Sequence, residues 1–172
     1  MSPMKLYSFW RSGTSHRTRI ALGLKGLSPE YVAVHLAKEE HLQDAFKAIN
    51  PQQLVPALDT GSGVLIQSPA ILEWLEEKYP TPALLPRDPQ RRARVRALAA
   101  IVGCDIHPIN NLRVLKYLKD ALGQSQERID AWIAHWIQEG FSALEALIAR
   151  HGEGFRPAHR RRTRERARTS RR

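Results

Sequence analysis

Apolar and polar positions change rhythm several times along the first half of the chain, and each change predicts an element. Lys5 to Trp10 is a short apolar-aromatic run that reads as a buried strand. After Thr14 the apolar residues Ile20, Ala21 and Leu24 fall at helical spacing, so a helix is predicted over Ser15–Lys25, with Gly26 as its stop. Tyr31 to Leu36 is rich in Val and alternates enough for a second strand. Strand, helix and strand with short joints make a right-handed parallel βαβ unit. Glu39 to Ile49 is polar, with Leu42, Ala45, Phe46 and Ile49 on one side, and predicts a short amphipathic helix. Pro56 cannot donate to a ladder, so it marks the start or edge of a strand that continues through Leu58. Asp59-Thr60-Gly61-Ser62-Gly63 is a hairpin turn, and Val64–Gln67 the returning strand. Ser68 then opens a helix as N-cap, with Pro69 at the first helical position. The order is βαβ-α-ββα, an α/β domain.

A proline-rich stretch, Pro80-Thr81-Pro82 through Pro86-Arg87-Asp88-Pro89, stiffens the chain and separates a second, helical part. Val95, Leu98, Val102, Ile106 and Ile109 follow helix spacing within Pro89–Lys119, with a kink predicted at Pro108. On one such helix His107 and Asn111, four apart, share a face. A further helix is predicted from about Gln126 to Arg150, striped by Ile129, Ile133, Trp136, Gly140, Leu144 and Leu147 and ended by Gly152 and Gly154. Beyond Phe155 no aliphatic residue is larger than Ala, so that stretch is expected to be disordered. The expected divisions are residues 4–83, 88–155 and 156–172.

Charge changes this picture only at one end. The net charge of +10 suggests a nucleic-acid partner until it is located. Arg156 to Arg172 holds nine Arg and one Glu, a net +8, which leaves +2 for the other 155 residues. The tail carries charge without an aromatic residue to stack on bases, so specific nucleic-acid binding is not expected. A lone cysteine, Cys104, excludes an internal disulfide and fits a reducing compartment. No apolar run is long enough to span a bilayer, and Met1–Lys5 lacks the form of a signal peptide, so the cytoplasm is expected. Cys104 and His107 make a single pair at helix spacing, too few for a metal, and no phosphate-loop or dinucleotide glycine pattern occurs.

The candidate chemistry sits where strands hand over to helices. At Arg11-Ser12-Gly13-Thr14-Ser15, small hydroxyl residues open a helix whose free N–H groups and positive dipole end favour an anion, a thiolate included. Gln67 and Ser68 stand beside a second such terminus. Simple capping accounts for either site alone. A cis Val55–Pro56 bond would turn the Val55 backbone groups outward toward an extended peptide, although cis is the minor isomer of X–Pro bonds.

Taken as an ordered set, Arg11-Ser12-Gly13-Thr14-Ser15-His16-Arg17, Asn50-Pro51-Gln52-Gln53-Leu54-Val55-Pro56, Gln67-Ser68-Pro69-Ala70-Ile71 and Cys104-Asp105-Ile106-His107-Pro108-Ile109-Asn110-Asn111 resemble the zeta-class glutathione transferases, the maleylacetoacetate and maleylpyruvate isomerases. The resemblance runs from Met4 to about Phe155. It implies a thioredoxin-like glutathione domain followed by an all-helical domain, a homodimer, glutathione as cofactor and a dicarboxylate enedione as substrate. It places Ser12, Thr14 and Ser15 in the active-site loop, where the family more often has Ser-Ser-Cys-Ser, so Thr14 removes a protein thiol from the chemistry. It implies that Val55 pairs with the cysteinyl backbone of glutathione, within a stretch that includes Gln53 and Pro56. Gln67 and Ser68 would hold the γ-glutamyl end, His41 the glycyl carboxylate, and Arg11, His107 and Asn111 the substrate. Leu112 stands where some maleylpyruvate-type members carry Arg, which leaves the choice of substrate open. The family continues past this point into a capping segment and further helices that the Arg-rich stretch does not resemble. A shift of reading frame would produce such a stretch, and a basic tail that binds polyanions is the alternative. On this reading the helical domain is incomplete and the chain as written is a weak isomerase, or a glutathione-binding fragment with impaired catalysis.

Overall fold

The computed structural model describes residues 4–151, so residues 156–172, with the disorder predicted for them, lie outside it, as do Gly152 and Gly154. The chain divides into two compact units between Leu85 and Pro86.

The first unit is built on a four-stranded sheet in the order β2-β1-β3-β4, with β1 Lys5–Ser8, β2 Glu30–Ala33, β3 Ala57–Asp59 and β4 Val64–Ile66. β1 and β2 run parallel, as the strand–helix–strand pattern requires, with Leu6 opposite Tyr31. β3 returns antiparallel to β1, with Leu6 opposite Leu58, and β4 pairs antiparallel with β3. Helix α1, Gly13–Leu24, and helix α3, Ser68–Lys78, cover one face. There Leu6, Ala21, Leu22, Leu58, Ile71 and Leu75 form one buried cluster. Alternation along β1 sends Tyr7 to the opposite face, where it meets Phe46 of α2, Asp44–Ile49, edge to face at 6.2 Å between ring centroids. Val34 and Val55 complete that second cluster with Phe46.

Several boundaries differ from the pattern. The second strand, predicted over Tyr31–Leu36, is Glu30–Ala33, with Leu36 already in the turn that follows, and the first helix, predicted over Ser15–Lys25, is Gly13–Leu24. The first strand stops at Ser8 because Phe9 to Ser12 form a tight turn, closed by the Ser12 N–H on the Phe9 carbonyl at 3.1 Å. The amphipathic helix over Glu39–Ile49 is instead two 3₁₀ turns, Leu36–Lys38 and Glu40–Leu42, followed by α2. Glu39, left-handed at φ 56°, separates the two turns and forbids a continuous helix. Ser68 is the first helical residue of α3 rather than its N-cap, which is Gln67 at φ 67°, and no side chain caps that end. The sequence spacing located the helix but not the left-handed residue that turns the chain into it.

The second unit begins with α4, Pro89–Ala100, capped by the Asp88 carboxylate on the Arg91 N–H at 2.8 Å. It continues as a π-helical stretch, Ile101–Ile106, and a last turn, His107–Ile109. The helix predicted to reach Lys119 therefore ends at Ile109. Asn111 adopts an extended conformation (ψ 146°) and caps a new helix, α5, Leu112–Asp120. Pro108 disturbs the ladder on its N-terminal side: it has no N–H for the Cys104 carbonyl, and its ring crowds that carbonyl. The helix widens just before it, the His107 N–H reaching the Val102 carbonyl five residues back. α6, Gln126–His151, packs on this widened stretch. Any Cβ at Gly140 would collide with Cγ1 and Cδ1 of Ile106, so glycine there admits the buried isoleucine against the bare helix backbone. The Trp132 indole N–H donates to the Ile109 carbonyl at 3.1 Å, tying α6 to the broken end.

Candidate functional site

The β1–α1 junction gathers the hydroxyl residues. Ser12, at φ −76° and ψ 122°, is the N-cap of α1, and its Oγ accepts the Ser15 N–H at 3.2 Å. The hydroxyls of Ser12 and Thr14 are 2.9 Å apart, and Thr14 donates to the Val55 carbonyl at 3.0 Å. Proton counting settles the direction of the first bond. Thr14 has one hydroxyl hydrogen and the Val55 oxygen can only accept, so Ser12 must be the donor to Thr14. The result is a directed relay, Ser12 to Thr14 to Val55, that joins the helix terminus to the stretch before β3. The Val55–Pro56 bond is cis, and both residues are buried. The N–H groups of Gly13 and Thr14 belong to the first turn of α1, which offers them no intrahelical acceptor.

Ser15 is placed differently from the other two. It is fully buried, and its hydroxyl accepts the Phe9 N–H at 3.5 Å. It braces the turn from inside, while Ser12 and Thr14 stay partly exposed. Arg11 is exposed, with its guanidinium carbon 5.6 Å from the centroid of the Trp10 ring.

Gln67 and Ser68 lie at the start of α3. Gln67 holds a left-handed backbone at φ 67°, a conformation that costs a non-glycine residue about 1–3 kcal/mol. Its amide donates to the Gln52 side-chain oxygen at 2.6 Å. Ser68 is buried, and the turn it opens has Pro69, without an N–H, at its second position. Gln53 is also left-handed, at φ 59°. His41 lies on the 3₁₀ turn Glu40–Leu42, not on a helix.

His107 and Asn111 belong to the second unit and do not share a helix face. His107 closes the π-helical stretch, whereas Asn111 sits past the break with its side-chain oxygen accepting the Arg113 N–H at 3.1 Å. That commits the Asn111 oxygen to a cap and leaves its amide NH₂ as the group able to donate. Gln52 and Trp10 were outside the predicted set. Gln52 stood in the Asn50–Pro56 motif with no role assigned, and its partnership with Gln67 spans fifteen positions.

A mixed sheet of this order, with a hydroxyl-capped helix beside a cis-proline, is a thioredoxin-like arrangement of the kind glutathione transferases use. Residues 2–77 match the family model of the glutathione S-transferase N-terminal domain. The chain is 73% identical over 146 residues to a maleylpyruvate isomerase of a Ralstonia species, covering 85% of this chain and 69% of that one. It is 53% identical to a maleylacetoacetate isomerase of Pseudomonas aeruginosa, covering 88% of this chain and 73% of the relative. Among solved structures, a holo maleylpyruvate isomerase described as a bacterial zeta-class glutathione transferase superposes with a TM-score of 0.83 at 72% identity, over 84% of this chain and 68% of that one. A maleylacetoacetate isomerase of Methylobacterium extorquens, solved with malonate and glutathione bound, superposes with a TM-score of 0.82 at 42% identity, over 84% of this chain and 68% of the other. The chain belongs to the zeta-class glutathione transferase family, that of the maleylpyruvate and maleylacetoacetate isomerases.

Proposed function

We propose that this chain is a glutathione-dependent cis–trans isomerase acting on maleylpyruvate or maleylacetoacetate, with maleylpyruvate favoured by the 73% identical relative. The observation that carries the reading is Ser12: a partly exposed hydroxyl at a helix N-terminus, linked through Thr14 to the Val55 carbonyl.

The donors of the first unit fit glutathione. Glutathione, when bound, supplies a thiolate that adds to the activated double bond, lets the new single bond turn, and leaves to give the trans isomer. Ser12 stabilises that thiolate by swinging its hydroxyl hydrogen from Thr14 to sulfur, and the first turn of α1 adds its N–H groups and dipole. Thr14 keeps its own bond to Val55, so the Val55 backbone stays in place while Ser12 changes partner. Gln67 and Ser68 offer amide and helix-terminal donors to a carboxylate at the γ-glutamyl end. Gln53, beside Val55, belongs to the same extended-peptide site, and His41 is assigned to the glycyl carboxylate. Arg11 pairs with a substrate carboxylate as a charge-assisted contact. His107 and Asn111 are the substrate contacts the family resemblance assigns to the helical unit, and each offers a donor type suited to the enolate oxygen that forms on addition. Family membership also argues for a homodimer in the cytoplasm, and light scattering on the purified protein tests the first. Among the described residues, no helix is long and apolar enough to cross a membrane.

Proton NMR of maleylpyruvate incubated with the protein tests the function. Conversion to the trans isomer with glutathione, and none when S-methylglutathione replaces it, is the expected result. Conversion without a thiol overturns the mechanism. Glutathione binding without conversion marks a glutathione-binding protein that is no isomerase.

A further inference from the structure

The turn that presents Arg11 and Ser12 carries two carbonyls that no strand or helix ladder uses, those of Phe9 and Trp10. Both are met by one side chain. Arg19, nearly two turns into α1, reaches back along the helix toward its N-terminus. Its Nη1 donates to the Ser8 hydroxyl at 3.0 Å and to the Phe9 carbonyl at 3.3 Å, and its Nη2 donates to the Trp10 carbonyl at 3.0 Å. The Phe9 carbonyl also receives the Ser12 N–H that closes the turn, at 3.1 Å. The same guanidinium thus holds the last residue of β1 and the first two residues of the turn. Ser8 is fully buried, so this fork is anchored in the core rather than floating on the surface.

We infer that Arg19 is a positioning residue for the isomerisation: it locks the Phe9–Ser12 turn, and so holds the Arg11 charge and the Ser12 hydroxyl in fixed relation to each other. The planar fork matters. A lysine presents a point charge and cannot span acceptors on both Phe9 and Trp10 in one geometry. The inference rests on the function proposed above, because Arg11 and Ser12 are the groups being positioned. Gln67 and Val55 are held by other contacts, so Arg19 governs substrate handling and chemistry more than glutathione affinity.

Arg19→Ala and Arg19→Lys, each as the full chain, test this with three readouts: kcat/KM for maleylpyruvate, glutathione affinity by calorimetry, and hydrogen exchange at individual amides. Arg19→Ala is expected to lower kcat/KM by about 10–100-fold, the cost of loosening a reacting geometry by roughly an ångström. Arg19→Lys recovers only part of it. Glutathione affinity changes little in both. Exchange at the Ser12 N–H speeds up, while Leu22 in the core of α1 keeps its protection. Wild-type kcat/KM in Arg19→Ala, or unchanged exchange at Ser12, overturns the inference. Equal loss of protection at Ser12 and Leu22 also overturns it, by showing a merely structural role. If Arg19→Ala fails to fold, Arg19→Lys carries the same comparisons. If the wild-type protein binds glutathione but converts no substrate, the functional reading has failed, and the exchange data still decide whether Arg19 locks the turn.

Discussion

Ser12 and Thr14 show what one hydrogen can decide. Their hydroxyl identities and a helix opening beside them were legible in the sequence, because small polar residues before an apolar helical spacing signal an N-terminus, although the helix begins at Gly13 and not at the predicted Ser15. The direction of the relay was not, since it depends on Val55, forty-one positions away in the chain. Thr14→Val removes the tether on the Val55 carbonyl and frees the Ser12 hydrogen. Glutathione affinity measured by calorimetry should fall by about 1 kcal/mol, roughly fivefold, the net worth of one hydrogen bond. Undiminished affinity would show that Val55 needs no tether. A second buried contact was equally invisible from spacing. The Lys25 ammonium, fully buried, meets Glu76 at 2.6 Å and the Pro82 carbonyl at 2.7 Å, and Glu76 also accepts the N–H groups of Leu84 and Leu85. Burial works to raise the Glu76 pKa, but the Lys25 hydrogen bond, the two backbone N–H groups and the Lys25 charge outweigh it and hold it below the ordinary glutamate value. A depressed carboxylate contributes stability at pH values above its unfolded pKa and loses it as pH falls through the folded one. Denaturant melts should therefore show this contribution disappearing below about pH 4. Glu76→Gln should cost about 3–5 kcal/mol at neutral pH by leaving Lys25 buried without its counter-charge, and should flatten that acid limb. An unaltered acid limb would count against the assignment.

At the scale of elements, periodicity located the strands and helices but not their irregularities. Val95, Leu98, Val102, Ile106 and Ile109 do fall on helical backbone. The spacing said nothing of the π-helical widening over Ile101–Ile106, since a pattern counted in residues does not register a turn that holds one more of them. For the same reason His107 and Asn111 read as neighbours on one face, when the chain breaks between them. Gly140 illustrates the opposite case, a residue whose role appears only when its neighbour does. Alanine at this position improves helix propensity by about 1 kcal/mol, yet its methyl overlaps Ile106. Gly140→Ala should destabilise the protein by up to about 2 kcal/mol, overpacking outweighing propensity. In an Ile106→Ala background the same change should become stabilising. Denaturant unfolding of the four proteins in this cycle reads the sign directly, and the same sign in both backgrounds would refute the packing argument.

For the whole molecule, the βαβ-α-ββα order and the helical second unit were readable because each element announces itself locally and the connections are short. The family's motifs then placed glutathione beside them, and the match to known isomerases agrees with that reading. Pairings between separate elements carried the remainder: the Gln52–Gln67 bond, the Arg19 fork and the Lys25–Glu76 pair each join positions that periodicity does not relate. The central claim is that this fold binds glutathione as its thiolate at Ser12. Ultraviolet thiolate absorbance, followed while glutathione is titrated into the protein at about pH 7, below the ordinary thiol pKa, tests it directly. Absorbance should rise and saturate as the site fills, and Ser12→Ala should bind glutathione with most of that absorbance gone. Binding with no thiolate signal, or a signal undiminished in Ser12→Ala, would contradict it.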